Sequence, residues 1–549
     1  MASKVNTKFV IALIIGLVVV CGGLALMGLY SYKRSGDRLI REGDKFYAAA
    51  EYKKASDKYS RAVAKDNSRV DWMEKWLSAL TKTVPATQAE YNEAYSRHYL
   101  SVLTKMAMMR STEPERQLPL IIELDRRASM LPGGRTVSAL QSQITTIDDR
   151  LQRLDEANDT TKLIKGYRGL AKLDEMQRFP VDQAKRDDAL RDLELGASVA
   201  KDDPRFQLAI VDWYESEIER YMRRENRPDE VERLMLREKL AEERTELVEK
   251  FGSQPAVMVH EFRSEAIRAM GNALTPDAAR QARAGLHDPA LQLLARLEQV
   301  PADQISTDDF LTAAVVISDF LNTRNDVQSM EMVAAWSEKV LQTRPEDPRA
   351  LIATARLQRT ARNYARAYEL FDRCVALPDV PVSLEGLLLP SYRRLAAGER
   401  VDTALLQRNQ AEDPAEKEKF LAVAQEQRES LKKLVDVGSE WELDLRDARL
   451  AMEVQDYRKA IALYEKLRAQ GQQDNPEILG PLAEALTRSG SEGMARAIYE
   501  RMLGSGQESI GVLARLADIE IGMNNLEKAE SLLERAQLLD PANEFVRSR

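Results

Sequence analysis

The sequence is poor in the residues that mark several common protein classes. It holds 2 cysteines and 3 histidines among 549 residues, with 25 glycines and 20 prolines. Cys21 lies in an apolar N-terminal run and Cys374 in a predicted soluble helix, so neither a disulfide framework nor a cysteine-based zinc module is expected. A chain with so little glycine and proline also lacks the turn residues of an all-β fold.

No charge of one sign dominates the sequence. The 80 basic and 88 acidic residues give a formal net charge of −8. Domains that bind nucleic acid more often carry a basic excess, so nucleic acid is not an expected partner. A single hydrophobic core stops growing near about 250–300 residues, so this chain needs several domains or an array of repeats.

Signatures of catalysis and metal binding are missing as well. His98, His260 and His287 lie far apart, and none has a cysteine or histidine at the spacing of metal ligands. Residues 260–264 depart from the zinc helix H-E-x-x-H because residue 264 is serine. Phosphate loops, dinucleotide fingerprints and nucleophile elbows are absent from the sequence. We therefore predict a non-enzyme without cofactor or metal, and an enzyme in the central helices is the least favoured alternative.

One long apolar run stands near the N-terminus. Residues 9–30 contain no charged side chain. About 22 helical residues cross the ~30 Å hydrocarbon core of a membrane, whereas the apolar core of a secretory signal is usually about 7–15 residues long. We predict a short basic tail at 1–8 and an uncleaved signal anchor at 9–30. A cleaved signal peptide is the alternative, with weak cleavage positions at Gly23 and Ala25.

Basic residues flank the run on both sides, so its orientation stays open. Lys4 and Lys8 precede it, and Lys33 and Arg34 follow it. A very short basic tail normally stays in the cytoplasm. This favours a single-pass protein of the bacterial inner membrane, with its C-terminal part in the periplasm.

The C-terminal sequence repeats itself. Small residues recur at intervals of 35 and 34 residues, and each is followed four positions later by a larger one: Ala460 with Tyr464, Ala495 with Tyr499, and Ala529 with Leu533. A second series recurs with the same intervals at Ala448, Ala483 and Ala517. Residues four apart share one helical face. The unit is therefore a pair of helices, joined closely through the small residues.

This pattern resembles the tetratricopeptide repeat family, whose unit is a helix–turn–helix of about 34 residues. The segment just after the apolar run has residues of the family's signature at Gly43, Phe46, Tyr52, Ala55, Tyr59 and Ala62. A second good unit covers 348–381, with Ala355, Tyr364, Ala367, Phe371 and Cys374. The resemblance implies an all-α solenoid of helical hairpins, in which the first helices line a concave groove for extended peptides or helices.

The chain divides into segments of different regularity. The predicted segments are the basic tail 1–8, the transmembrane anchor 9–30, tetratricopeptide-like hairpins at 36–104, an irregular helical repeat region at 105–310, further hairpins at 311–381, a helical connection or insertion at 382–440, and C-terminal repeats at 441–549. Cys374 shares a helical face with Ala367 and Phe371, so we predict a packing residue there and not a nucleophile.

The groove implied by the resemblance carries three arginines in the 348–381 unit. Arg349, Arg356 and Arg359 can pair with acidic side chains or a C-terminal carboxylate of a partner, and the alternative is a solvated charged face. We predict a membrane-tethered scaffold or adaptor that mediates protein–protein interactions. An assembly or quality-control factor of the bacterial envelope, or a secreted soluble repeat protein if the run at 9–30 is cleaved, are the alternatives.

Overall fold

The protein is described by a computed structural model. The described residues are 36–85, 90–91, 93–129, 137–178, 181–222, 230–271, 276–321, 327–378, 389–435, 439–470, 475–504 and 508–539, with isolated positions at 17–18, 21–22, 27 and 546. The predicted anchor at 9–30 lies outside them apart from these isolated positions. None of the helices in the described part is long and apolar enough to cross a membrane.

Regular structure in the described part of the chain is entirely helical, so the prediction of an all-α solenoid is confirmed. The chain forms two compact units. The first consists of Met1–Glu243 with Pro378–Leu388, and the second of Arg244–Leu377 with Leu389–Arg549.

The continuously described part of the first unit begins at residue 36. Its helices are α1 (36–48), α2 (Tyr52–Lys65), α3 (Val70–Thr81), a π-helical segment (Glu93–Tyr99) that continues into α4 (Leu100–Met109), α5 (Pro114–Ser129), α6 (Val137–Leu151), α7 (Asp159–Arg178), α8 (Gln183–Val199) and α9 (Pro204–Met222). Helix α10 (Glu230–Phe251) contains the junction between the two units in the chain.

The second unit is a longer run of helix pairs. Its helices are α11 (Pro255–Gly271), α12 (Pro276–Gly285), α13 (His287–Gln299), α14 (Thr307–Leu321), α15 (Val327–Gln342), α16 (Pro348–Thr360), α17 (Tyr364–Val375), α18 (Leu389–Gln410), α19 (Pro414–Lys432), α20 (Glu440–Glu453), α21 (Tyr457–Ala469), α22 (Pro476–Arg488), α23 (Glu492–Gly504), α24 (Ile510–Gly522) and α25 (Leu526–Leu539). From α14 onward, each even-numbered helix packs against the next helix in the chain, and we call these the first and second helices of a pair. The last helix, α25, also packs against α12.

The same tight turn joins the two helices of several pairs. It places one residue in the left-handed region of backbone conformation, with φ between 58° and 84°: Ala50, Arg362, Gln455, Gly490 and Asn524. The next residue donates its N–H to the carbonyl five positions earlier, for example Asp456 to Ala451 at 2.9 Å. The last three turn residues recur at the predicted intervals of 35 and 34 residues. The recurrence confirms the repeat independently of the buried side chains.

The small residues of the C-terminal repeats lie where the sequence predicts them. Ala448, Ala460, Ala483 and Ala495 have no exposed surface, and they share one hydrophobic core with Tyr464. Their size lets the helices of a pair approach closely, while the larger residues fill the space between pairs. Cys374 is also fully buried, and burial raises the pKa of its thiol to about 12, which fits a packing residue.

The first hairpin, α1 and α2, shows the close approach expected from its signature residues. A Cβ atom on Gly43 would lie 2.5 Å from Cε1 of Tyr59, so only glycine fits there. The Tyr59 hydroxyl donates to Asp44 Oδ1 at 2.8 Å. Lys75 of α3 binds the same carboxylate at 2.7 Å, which links the hairpin to the following helix.

Residues 389–432, within the segment predicted as a connection or insertion, form the helix pair α18 and α19. Helix α18 packs against α17, α16 and α20, so the pair lies between its neighbours in the stack. These helices are 22 and 19 residues long, compared with 13 and 12 for α16 and α17. Their extra length explains why a period of about 34 residues is not visible in this part of the sequence.

Candidate protein-docking groove

The three arginines predicted for the groove all lie on α16, but they have different surroundings. Arg349 is near the beginning of the helix, where its Nη1 lies 2.9 Å from Asp308 Oδ1 of α14. Its Nη2 lies 3.4 Å from Asp347 Oδ2, and only 17% of its side chain is exposed. Arg349 therefore connects two neighbouring first helices.

Arg356 and Arg359 come together at one carboxylate on α18. Arg356 Nε donates to Glu399 Oε1 at 3.0 Å, and Arg359 Nη1 lies 2.7 Å from Glu399 Oε2. The Glu399 side chain is 8% exposed, whereas that of Arg356 is 48% exposed. The structure thus brings two of the predicted residues together and places Arg349 apart from them. Their use by a partner stays a prediction.

The ion pairs continue onto the next first helix. Asp402 of α18 lies 2.6 Å from Arg449 Nη1 and 3.1 Å from Arg446 Nη2, both on α20. Burial by itself would raise the pKa of Asp402, but the charges of Arg446 and Arg449 outweigh it and hold the pKa below its ordinary value.

Two more contacts extend the series toward the C-terminus. Arg449 Nη2 lies 3.5 Å from Glu477 of α22, and Glu484 of α22 lies 3.0 Å from Arg515 of α24. We call the whole series, from Arg356 to Arg515, the ion-pair ladder. Pairs of this kind add little net stability, but removing one partner of a buried pair is costly.

A cavity of about 650 Å³ opens beside the ladder. Three first helices, α18, α20 and α22, line it together with α21. We call it the groove pocket, and its volume lies within the range of about 300–1,000 Å³ that ligand sites occupy. Its lining residues include Asp402, Leu405, Leu406, Arg408, Asn409, Arg449, Met452, Glu453, Tyr457, Tyr464, Pro481, Glu484 and Arg488.

Tyr464 of α21 is one of the residues that line this pocket. Its side chain has no exposed surface, and its hydroxyl has no hydrogen-bond partner among the described residues. Burial raises the pKa of this phenol, so the hydroxyl keeps its proton at neutral pH. Sequence spacing predicted the buried ring correctly. It did not identify the hydroxyl, because periodicity predicts the face of a helix and not the surroundings of the far end of a side chain.

Comparisons with known proteins give matches only among solved structures. No family model and no curated protein matches the chain. A structure of the APC/C hetero-tetramer Cut9–Hcn1 has a TM-score of 0.32 and 11% identity, over 93% of this chain and 95% of the other. A tetratricopeptide repeat protein from Parabacteroides merdae has a TM-score of 0.32 and 11% identity, over 53% of this chain and 96% of the other. Yeast Tom70 has a TM-score of 0.30 and 15% identity, over 92% and 96%.

The predicted resemblance to the tetratricopeptide repeat family is confirmed at the level of the fold. Three structural features of the chain support this fold. They are the paired helices, the small residues between them, and a left-handed turn that recurs every 34 or 35 residues near the C-terminus. The chain folds as a tetratricopeptide-like α-helical solenoid.

Proposed function

We propose that this protein is a membrane-tethered scaffold that docks partner proteins on the first helices of its second unit and catalyses no reaction of its own. The observation that carries the proposal is the groove pocket, which opens between three adjacent first helices. Stacked hairpins of this kind present extended surfaces suited to peptides and helices.

The tether is the apolar run at 9–30. Its length and lack of charge suit a single crossing of the membrane. In a bacterial inner membrane, with the repeats in the periplasm, the anchor would hold one end of the scaffold while the groove gathers partners. Reporter fusions at the C-terminus test this orientation, since a reporter active only in the periplasm should give signal. A mature N-terminus located after about Ala25 would contradict the tether.

Site-specific photo-crosslinking in intact membranes tests the docking function. The probe residue is placed at Leu406, which lines the groove pocket and is 36% exposed. The matched control is Met494, which is 59% exposed on the second helix α23 and does not line the pocket. We expect specific protein adducts from position 406 and none of the same size from position 494. Identical products from both positions, or no specific adduct from position 406, would contradict docking in this groove.

A further inference from the structure

We propose that one exposed face of α10 is a second docking surface, which takes a basic amphipathic helix of a partner protein. The residues of this face belong to the first unit, whereas the groove pocket lies in the second, so the proposal does not depend on occupation of the groove. It follows from three exposed apolar side chains, from the carboxylates beside them and from a comparison with another long helix of the chain.

Three large apolar side chains are exposed to solvent at the beginning of α10. Val231, Leu234 and Met235 are 61%, 54% and 62% exposed. Residues three and four apart share one face of a helix, so the three side chains form one patch. Single exposed apolar residues are common on soluble proteins, whereas adjacent ones on one face gain free energy when a partner covers them.

The same face continues with two exposed carboxylates. Glu238 lies two helical turns after Val231, and Glu242 lies two turns after Met235. Glu238 has no ion pair among the described residues, and Glu242 lies 2.6 Å from Lys239, with both side chains 58% exposed. An exposed pair of this kind is worth little, so a cation of a partner can replace Lys239. We call Val231, Leu234, Met235, Glu238 and Glu242 the outer face of α10.

The opposite face of α10 is the buried one. Leu240 lies nine residues, or two and a half turns, after Val231, and it is 8% exposed. Glu243 accepts a hydrogen bond from Gln207 of α9. The buried and the exposed apolar side chains therefore lie on opposite sides of the helix, and folding leaves the outer face uncovered.

Helix α19 shows that a long, charged helix of this chain does not need such a patch. It has 19 residues, and Glu418, Lys419 and Glu426 are exposed on it. Its large apolar residues are all partly or fully buried: Phe420, Leu421, Val423 and Leu431. The exposed apolar side chains of α10 are therefore not a consequence of helix length or charge.

The charges of the outer face decide which partner fits. A second copy placed face to face would bring carboxylates against carboxylates, and an anionic lipid surface would be repelled. Arg237 and Lys239 lie on the two flanks, each about 100° around the helix from Glu238. A partner with lysine or arginine beside apolar residues gains from both parts of the face. Because Glu238 and Glu242 are four residues apart, a helical partner matches them with basic residues one turn, or about 6 Å, apart.

Site-specific photo-crosslinking in intact cells, followed by mass spectrometry of the adduct, tests the proposal. The probe residue replaces Met235, and the matched control position is Met494, which is 59% exposed on α23. We expect a protein adduct from position 235 whose crosslinked segment has lysine or arginine at one-turn spacing beside apolar residues. An adduct with a second copy of this chain, with lipid or with a segment that lacks basic residues would overturn the proposal. So would the lack of any adduct specific to position 235.

The crosslinked segment, made as a synthetic peptide, allows the charges to be tested on the purified full chain. Glu238→Lys should weaken the affinity for this peptide about tenfold, because attraction is replaced by repulsion. Raising the salt from about 0.1 M to 1 M should weaken it as well, through screening. Glu418→Lys is the matched control, since Glu418 is exposed on α19 and has no ion pair among the described residues. Equal losses from the two variants, or no loss from either, would overturn the proposal.

The apolar part of the face is tested in the same way. Met235→Gln should weaken the affinity for the peptide about tenfold, whereas Met494→Gln should leave it unchanged. Both side chains are exposed, so both variants should unfold at the temperature of the wild type. A lower unfolding temperature for Met235→Gln alone would show that this side chain packs within the chain, and it would overturn the proposal. Crosslinking at position 406 reports on the groove separately, so these outcomes leave docking in the groove intact.

Discussion

Arg359 Nη1 lies 2.7 Å from Glu399 Oε2, and this contact joins the first helices of two consecutive pairs, α16 and α18. The Glu399 carboxylate is almost fully buried and also binds Arg356. One carboxylate thus pairs with two positive charges. Glu399 lies 40 residues after Arg359 and 43 residues after Arg356 in the chain. Loss of Glu399 would therefore leave more uncompensated charge in this cluster than loss of Arg356 or Arg359.

Removing that acid should therefore destabilise the second unit more than removing an arginine. We expect Glu399→Gln to lower the free energy of unfolding by about 2–4 kcal/mol, since it leaves Arg359 without its partner. Arg356→Gln should cost less than about 1 kcal/mol, because the Arg356 side chain is 48% exposed. Denaturant unfolding of the two variants measures the difference. Equal losses would contradict the assignment of Glu399 as the shared partner.

The ladder should also give the second unit a pH-dependent stability. The pKa of Asp402 is lower in the folded protein than its ordinary value, so the folded state binds fewer protons than the unfolded state. The stability that the Asp402 carboxylate contributes is complete above the ordinary aspartate pKa of about 3.9. It is lost as the pH falls through the pKa of Asp402 in the folded state. Asp402→Asn should be less stable than the wild type at pH 7, and this difference should shrink below about pH 4. A difference that stays constant with pH would contradict the prediction.

The recurring turn makes opposite predictions for two equivalent positions. Gly490 has φ of +84°, so Gly490→Ala should destabilise the protein by about 1 kcal/mol through backbone strain. Gln455 already adopts this conformation with φ of +60°, and Gln455→Gly should relieve its strain. The expected gain is at most about 1 kcal/mol, because glycine also increases the entropy of the unfolded chain. Thermal unfolding of both variants provides the test, and changes of the same sign would contradict it.

Helices α7 and α8 of the first unit pack unusually closely. A Cβ atom on Gly196 would lie 2.7 Å from the Cα atom of Gly166, and 2.9 Å from Phe206. We expect Gly196→Ala to destabilise the first unit by about 1–3 kcal/mol through overpacking. The control is Gly480→Ala in α22, where the nearest atom would be 3.9 Å away. Gly480→Ala should stabilise the helix by up to about 1 kcal/mol. A neutral result for Gly196→Ala would contradict the prediction, because it would show that α7 and α8 can separate.

Local spacing in the sequence is sufficient to predict the hairpins at the two ends of the described chain. Residues such as Ala460 and Tyr464 lie four positions apart on one helix, so their periodicity alone determines that both face the core. The burial of Cys374 follows from the same reasoning. The turn at Gln455 was not predictable in this way, because glutamine seldom adopts a positive φ and so does not mark such a turn.

The chemistry of the groove depends on contacts between hairpins, and only the tertiary structure decides those. Arg356 and Arg359 were predictable as residues of one helix face, but their partner Glu399 lies on α18, in a segment without a visible repeat. The contacts of Arg449 likewise depend on carboxylates of neighbouring pairs, Asp402 of α18 and Glu477 of α22. Helical periodicity determines which face of each helix is buried, whereas the partners of a polar side chain depend on how successive helix pairs stack.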